Sequence, residues 1–174
     1  MHVIVLSGLP GSGKSTFAKA LGVQLPGSAR IDVALVLQSW IGREMPRAEV
    51  GVTFVSQFGL EKVPYAIVGE VNGAVADYVI VDAVRHASSI NKMRELIDAR
   101  MTSIFVECED SVRISRLRSR LLLSGAMNVD DTVQKYMAYH DDGAKSACNF
   151  VIENSGEIAE LRESAAKFLA SFVG

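Results

Sequence analysis

Residues Gly8 to Ser15 read GLPGSGKS, and they lie directly between a short apolar run and an amphipathic one. That order constrains the fold more than any other stretch of the chain. Val3-Ile4-Val5-Leu6 is β-branched and uninterrupted, as suits a strand buried on both faces of a parallel sheet. Beyond the loop, Phe17, Ala18, Ala20 and Leu21 recur at helical spacing within Lys14 to Val23. A G-x-x-x-x-G-K-[ST] segment in this context is a phosphate cradle. Gly8, Gly11 and Gly13 let the backbone turn its N–H groups inward, and the helix N-terminus adds partial positive charge. In such a loop Lys14 reaches the β- and γ-phosphates and the Ser15 hydroxyl ligates Mg²⁺, with Ser12 and Thr16 in the same loop-to-helix junction. ATP and Mg²⁺ are the expected cofactors.

Length and charge then remove alternatives. With 174 residues and 49% hydrophobic content, the chain fits one domain, 1–174, with a substantial core. A net charge of −2 gives no global pull toward nucleic acid or an anionic membrane. Cys108 and Cys148 lack any C-x-x-C or Cys/His ligand spacing, which favours buried or incidental thiols and a reducing compartment. No apolar stretch approaches membrane-spanning length, so the expectation is a soluble, cytoplasmic protein with no membrane partner.

Further strands are marked by Ala29-Arg30-Ile31, Tyr78 to Val81, Ile104-Phe105-Val106 and Phe150-Val151-Ile152. Helical patterns separate them, from about Pro64 to Ala76, from a Ser88 or Ser89 cap to about Arg100, from Asp110 or Ser111, from about Asn128, and from Glu157 to Phe172. The segment from Val33 to Leu37 is locally ambiguous. Residues 42–62, interrupted by Gly42, Pro46, Gly51 and Gly59, read as a substrate-binding excursion, and 121–128 as a short lid. Alternation of this kind implies a parallel sheet with helices on both faces, and ligands beyond the carboxyl ends of the strands.

The residues at those ends carry the chemistry. Asp82 closes an apolar strand, where a carboxylate holds Mg²⁺ directly or through water; a surface-turn aspartate is the alternative. Asp32 suits a base or an acceptor-orienting group, and equally the N-cap of the segment after it. Phosphoryl transfer needs cations over the γ-phosphate. Arg116 and Arg120 share a helical face, with Arg113 in the same stripe, although a solvated face would look the same. Arg85, and Arg43 in the excursion, are the cations placed for an anionic acceptor, with a surface salt bridge as the other use of Arg85. His86 and His140 have no metal-ligand spacing and read as surface or capping residues.

With these residues placed, the chain resembles the adenylate-kinase-like branch of P-loop kinases, including dephospho-CoA kinase and related archaeal and phage nucleotide kinases. GLPGSGKST, YVIVDAVRHASSINKMRE and CNFVIENSGEIAEL carry the likeness. The resemblance implies a three-layer α/β/α fold with a five-stranded parallel sheet in the order 2-3-1-4-5. It implies Asp32 near the acceptor, Arg85 binding it, Arg116 and Arg120 as lid arginines, and Asn154 with Ser155 beside adenine. The opening VIVLSGLPGSGKSTFAKAL also resembles polynucleotide-kinase-like enzymes, in which an aspartate after the second strand serves as base. The segment LLLSGAMN has no cation where the first resemblance implies an arginine-rich lid. Three readings follow: a kinase acting on a nucleotide-like small molecule, a kinase acting on a hydroxyl of nucleic acid, and a nucleotide-dependent regulatory ATPase. Oligomeric state is left open.

Overall fold

A computed structural model describes residues 1–123, 128–137 and 143–173. The strands are β1 (His2–Ser7), β2 (Ala29–Asp32), β3 (Tyr78–Asp82), β4 (Arg100–Glu107) and β5 (Phe150–Glu153). All their pairings are parallel, and the sheet order is β2-β3-β1-β4-β5, as the resemblance implies. The helices are α1 (Lys14–Gln24), α2 (Val33–Ile41), α3 (Arg47–Phe58), α4 (Val63–Gly73), α5 (Ala87–Leu96), α6 (Asp110–Leu123), α7 (Val129–Met137) and α8 (Ile158–Val173).

The period-2 alternation of the central strands divides the core in two. Val3, Val5, Val79, Val81 and Phe105 point to one face and are covered by side chains from α2 to α5. Ile4, Leu6, Ile80, Ile104 and Val106 point to the other, under Phe17 and Leu21 of α1 and Leu161 and Phe168 of α8. A third, small cluster joins Leu117 and Leu121 of α6 to Val133 of α7. Among the described residues no helix is long and apolar enough to cross a membrane.

Several sequence expectations shift. The ambiguous segment after β2 is helical because Asp32 caps it, its carboxylate accepting the Ala34 N–H at 3.0 Å. The excursion is not irregular: α3 occupies most of it, since Val50 and Phe54, one helical turn apart, both reach the core. Phe54 also packs at a tilt against Trp40 and Phe58, at 5.9 and 5.0 Å between centroids. This packing outweighs the modest helix cost of Gly51. α5 starts earlier than a serine cap predicts, with His86 at the N-cap position, and it ends at Leu96 because β4 already begins at Arg100. Both cysteines are free thiols. The expected break at Ser124-Gly125, most of the 121–128 lid, and His140 lie outside the described residues.

Candidate active site

The loop between β1 and α1 is shaped as much by what presses on it from behind as by what it faces. Gly11 (φ +84°) and Gly13 (φ +94°) occupy the left-handed region, where a Cβ is costly. A Cβ on Gly11 would run into the Arg113 carbonyl, and one on Gly13 into the Asn154 side-chain nitrogen. That nitrogen donates a buried hydrogen bond of 2.7 Å to the Ser12 carbonyl. The turn after β5 therefore braces the loop. Asn154 is 5% exposed, so its side chain supports the cradle rather than reaching toward a base. Ser155 Oγ accepts the Glu109 N–H, and neither residue lines the cavity beyond the loop.

Lys14 Nζ donates to the Leu9 carbonyl at 2.6 Å and lies 3.5 Å from Ser12 Oγ. Although part of the residue reaches solvent, its ammonium is enclosed. Burial, first, and the neighbouring Arg85, second, push its pKa down to about 7, with Arg120 and Arg113 adding and Asp82 opposing. This cluster of cations around a phosphate loop is an electrostatic vacancy for a polyanion.

A cavity of about 280 Å³ opens from the loop, bounded there by Gly11, Gly13, Lys14, Ser15 and Thr16. Its far half is walled by Val33, Ala34 and Leu37 of α2 and by Gly51 and Val55 of α3. Asp82, Arg85, His86, Arg116 and Arg120 edge the same space. Of the expected residues, Gly8 and Ser12 belong to the loop but do not line the cavity. Gly8 packs against the Val106 carbonyl and Ser12 is fully buried.

The arginine helix divides by role. Arg113 is 1% exposed, its Nε donating to Asp110 at 2.7 Å, so it belongs to the interior. Arg118 is exposed and pairs with Asp130. Arg116 donates to the Asn154 carbonyl at 2.8 Å and to the Gly156 carbonyl, tying α6 to the turn after β5 while lining the cavity. Arg120 lines it one helical turn on.

The acceptor-side cations also differ from expectation. Arg43 is exposed and does not line the cavity; Arg47, at the start of α3, does. Pro46 at the N-cap position starts α3 after Arg43, leaving Arg43 in the connecting segment and Arg47 in the first turn. Arg47 donates to Asp32 Oδ1 at 2.8 Å, the same oxygen that caps α2. Asp32 itself does not line the cavity, although Val33 and Ala34 do. In register it stands beside Asp82 on the neighbouring strand. Asp82, 1% exposed, is ion-paired with Arg30, which no motif in the sequence singles out. Its one signal was position: Arg30 lies on the strand that pairs with β3, two residues before Asp32.

Mg²⁺ fits these residues, because it is ordinarily held by one or two protein oxygens together with substrate phosphates. Ser15 supplies a hydroxyl at the cavity. Asp82 supplies a carboxylate whose pairing with Arg30 suits contact through water better than direct ligation.

Comparison with known proteins agrees with this geometry. The family model described as an AAA domain matches residues 4–132. The chain belongs to that AAA-domain family. It is also similar to a UPF0200 protein of Saccharolobus solfataricus, 25% identical over 139 residues that cover 78% of this chain and 73% of the relative. Among solved structures, a gluconokinase from Sinorhizobium meliloti superposes with a TM-score of 0.64 at 19% identity, covering 98% of this chain and 93% of that one. A shikimate kinase from Acinetobacter baumannii, in complex with shikimate, gives 0.63 at 16% identity, covering 98% and 92%. The AAA-domain chain thus has the P-loop kinase fold.

Proposed function

We propose that this AAA-domain protein is an ATP- and Mg²⁺-dependent phosphotransferase that passes the γ-phosphate to a small anionic acceptor of nucleotide type, nucleoside monophosphate or dephospho-CoA. The observation that carries the reading is a single cavity with two unlike ends. One end is the phosphate loop with Lys14 and, beside it, Arg85; the other is walled by α2 and α3 and edged by Arg47. Arg116 and Arg120 lie along the same space, where charge develops during transfer. A regulatory switch has no need of the second end.

In this reading the loop N–H groups and Lys14 hold the donor phosphates, and Ser15 and Asp82 hold the metal, which when bound neutralises phosphate charge. Arg116 and Arg120 face the migrating phosphoryl group. Arg85 and Arg47 orient the acceptor anion so that its oxygen lies in line. Asp32 fixes Arg47 and caps the helix that forms one wall. A proton leaving an acceptor hydroxyl reaches Asp32 through water, since Asp32 does not line the cavity; an acceptor phosphate brings an anionic oxygen and needs no base. Residues 42–62, which contain α3, serve as the substrate-binding excursion of one domain, and 121–128 as its lid. The reaction belongs in the cytoplasm, where ATP is plentiful and free thiols such as Cys108 persist.

The decisive assay incubates the chain with γ-labelled ATP and, separately, nucleoside monophosphates, dephospho-CoA, 5′-hydroxyl oligonucleotides and hydroxymethylated DNA. Label in a nucleotide or coenzyme product is expected. Label only in nucleic acid moves the acceptor to a polynucleotide, and slow release of inorganic phosphate with no labelled acceptor sinks the kinase reading.

Asp32 can be separated from its capping role by choice of substitute. Asparagine caps as well as aspartate, so Asp32→Asn leaves the unfolding midpoint almost unchanged but, with a hydroxyl acceptor, lowers kcat by about 10²-fold, with ADP affinity retained. Asp32→Ala adds a stability loss of about 1 kcal/mol. An Asn variant with unchanged kcat and acceptor KM removes Asp32 from the site.

A further inference from the structure

The acceptor end of the cavity has an uneven chemistry. Val33, Ala34 and Leu37 present one wall, Gly51 and Val55 the other, and Val63 and Val84 complete it. Among the described residues, α2 and α3 bring one polar side chain to the cavity, Arg47. The remaining polar groups belong to the loop, the end of β3 and α6. Arg47, Gly51 and Val55 follow at one-turn intervals along α3, so the wall passes from a cation to open space to an aliphatic surface. A Cβ placed on Gly51 meets nothing within 4 Å, leaving a slot along that face.

We propose that this slot selects the acceptor by what its body lacks. It takes an anion, phosphate or carboxylate, whose body is a flat ring or hydrocarbon held by its faces, and it rejects polyhydroxylated bodies of equal charge. The arginines hold the anion. The aliphatic walls offer a hydroxyl no partner, and a hydroxyl that gives up water without one binds less well. A ring is satisfied by contact on both faces and asks nothing of its edges. A purine or pyrimidine ring meets this condition; an open-chain polyol does not. The inference rests on the phosphotransferase reading only in calling the far end an acceptor site.

The test uses two probes of the same head group, phenyl phosphate and ribose 5-phosphate, titrated calorimetrically into the full chain already saturated with ADP. Phenyl phosphate is expected to bind about 100-fold more tightly, the scale on which pockets discriminate by such contacts. Gly51→Leu, which fills the slot, is expected to weaken phenyl phosphate at least about tenfold, since no room is left for the ring. Val55→Thr, nearly isosteric but carrying a hydroxyl, is expected to narrow the gap between the probes by a similar factor; it keeps the test alive if the leucine variant fails to fold. Equal affinities, preference for ribose 5-phosphate, no phenyl phosphate binding at millimolar concentration, or displacement of ADP by phenyl phosphate each overturn the proposal. Failure of the labelled-ATP assay with this preference intact would remove the kinase and keep the slot. Transfer to polyols with the preference reversed would do the opposite.

Discussion

If the chain transfers phosphate as proposed, Lys14→Met is expected to slow it by about 10²–10³-fold, yet to make the nucleotide-free protein harder to unfold near neutral pH. Both outcomes come from one cause. Burial of the Lys14 ammonium, reinforced by Arg85, Arg120 and Arg113, pushes its pKa down to about 7 from an ordinary 10.5. Between those two pH values the unfolded chain holds a proton at this lysine that the folded chain has given up, so the Lys14 contribution to stability rises with pH across the window. Below about pH 7 the folded protein carries the charge and its full cost. Methionine removes the cost, so the variant's stability loses this rise with pH. Bound ADP supplies the missing counter-charge and restores the ammonium, so its binding at pH 8 takes up about one proton in wild type and none in the variant. Calorimetry in buffers of different ionisation enthalpy measures this directly. Proton-neutral ADP binding by the wild type would show that Lys14 is already charged in the empty loop.

Asn154→Ala unfolds more readily, by about 1–3 kcal/mol in urea titration, and loses ADP affinity as the loop slackens. The brace runs from Asn154 to the buried Ser12 carbonyl, so truncation leaves that carbonyl without its donor. Preference between ATP and GTP stays as it was, because the side chain faces the loop. A residue beside the base would give the reverse pattern, with unchanged stability and altered base preference. Asn154→Asp is worse than alanine, since it sets a carboxylate against a carbonyl.

That contrast marks where the chain could be read without coordinates. β1, the phosphate loop and α1 are written locally, as an apolar run, a glycine spacing and a helical period. The strand tips at Asp32 and Asp82 are equally plain, and they fall side by side as the parallel order requires. α3 was obscured because Gly51 and Pro46 lower its local helical signal, whereas Val50 and Phe54 are fixed by packing on distant elements. Arg43 and Arg47 are indistinguishable until the start of α3 is known, for a shift of four residues is one helical turn. Arg30 and Asn154 act through partners 52 and 142 residues away, beyond any local pattern. Arg113 and Arg116 share a stripe with Arg120, but only the tertiary fold buries one and makes another a staple to the turn after β5.

The division of the core by the sheet bears on how such a protein diversifies. The helix that follows the phosphate loop is anchored on one face with α8, and the helices that shape the acceptor end are anchored on the other. The two clusters share no side chain. Substitutions in the α2–α3 slot can therefore leave untouched the core side chains that anchor the phosphate loop, while residues that meet in the shared cavity remain coupled. A lineage can reshape that end of the cavity while the packing beneath the loop is inherited intact.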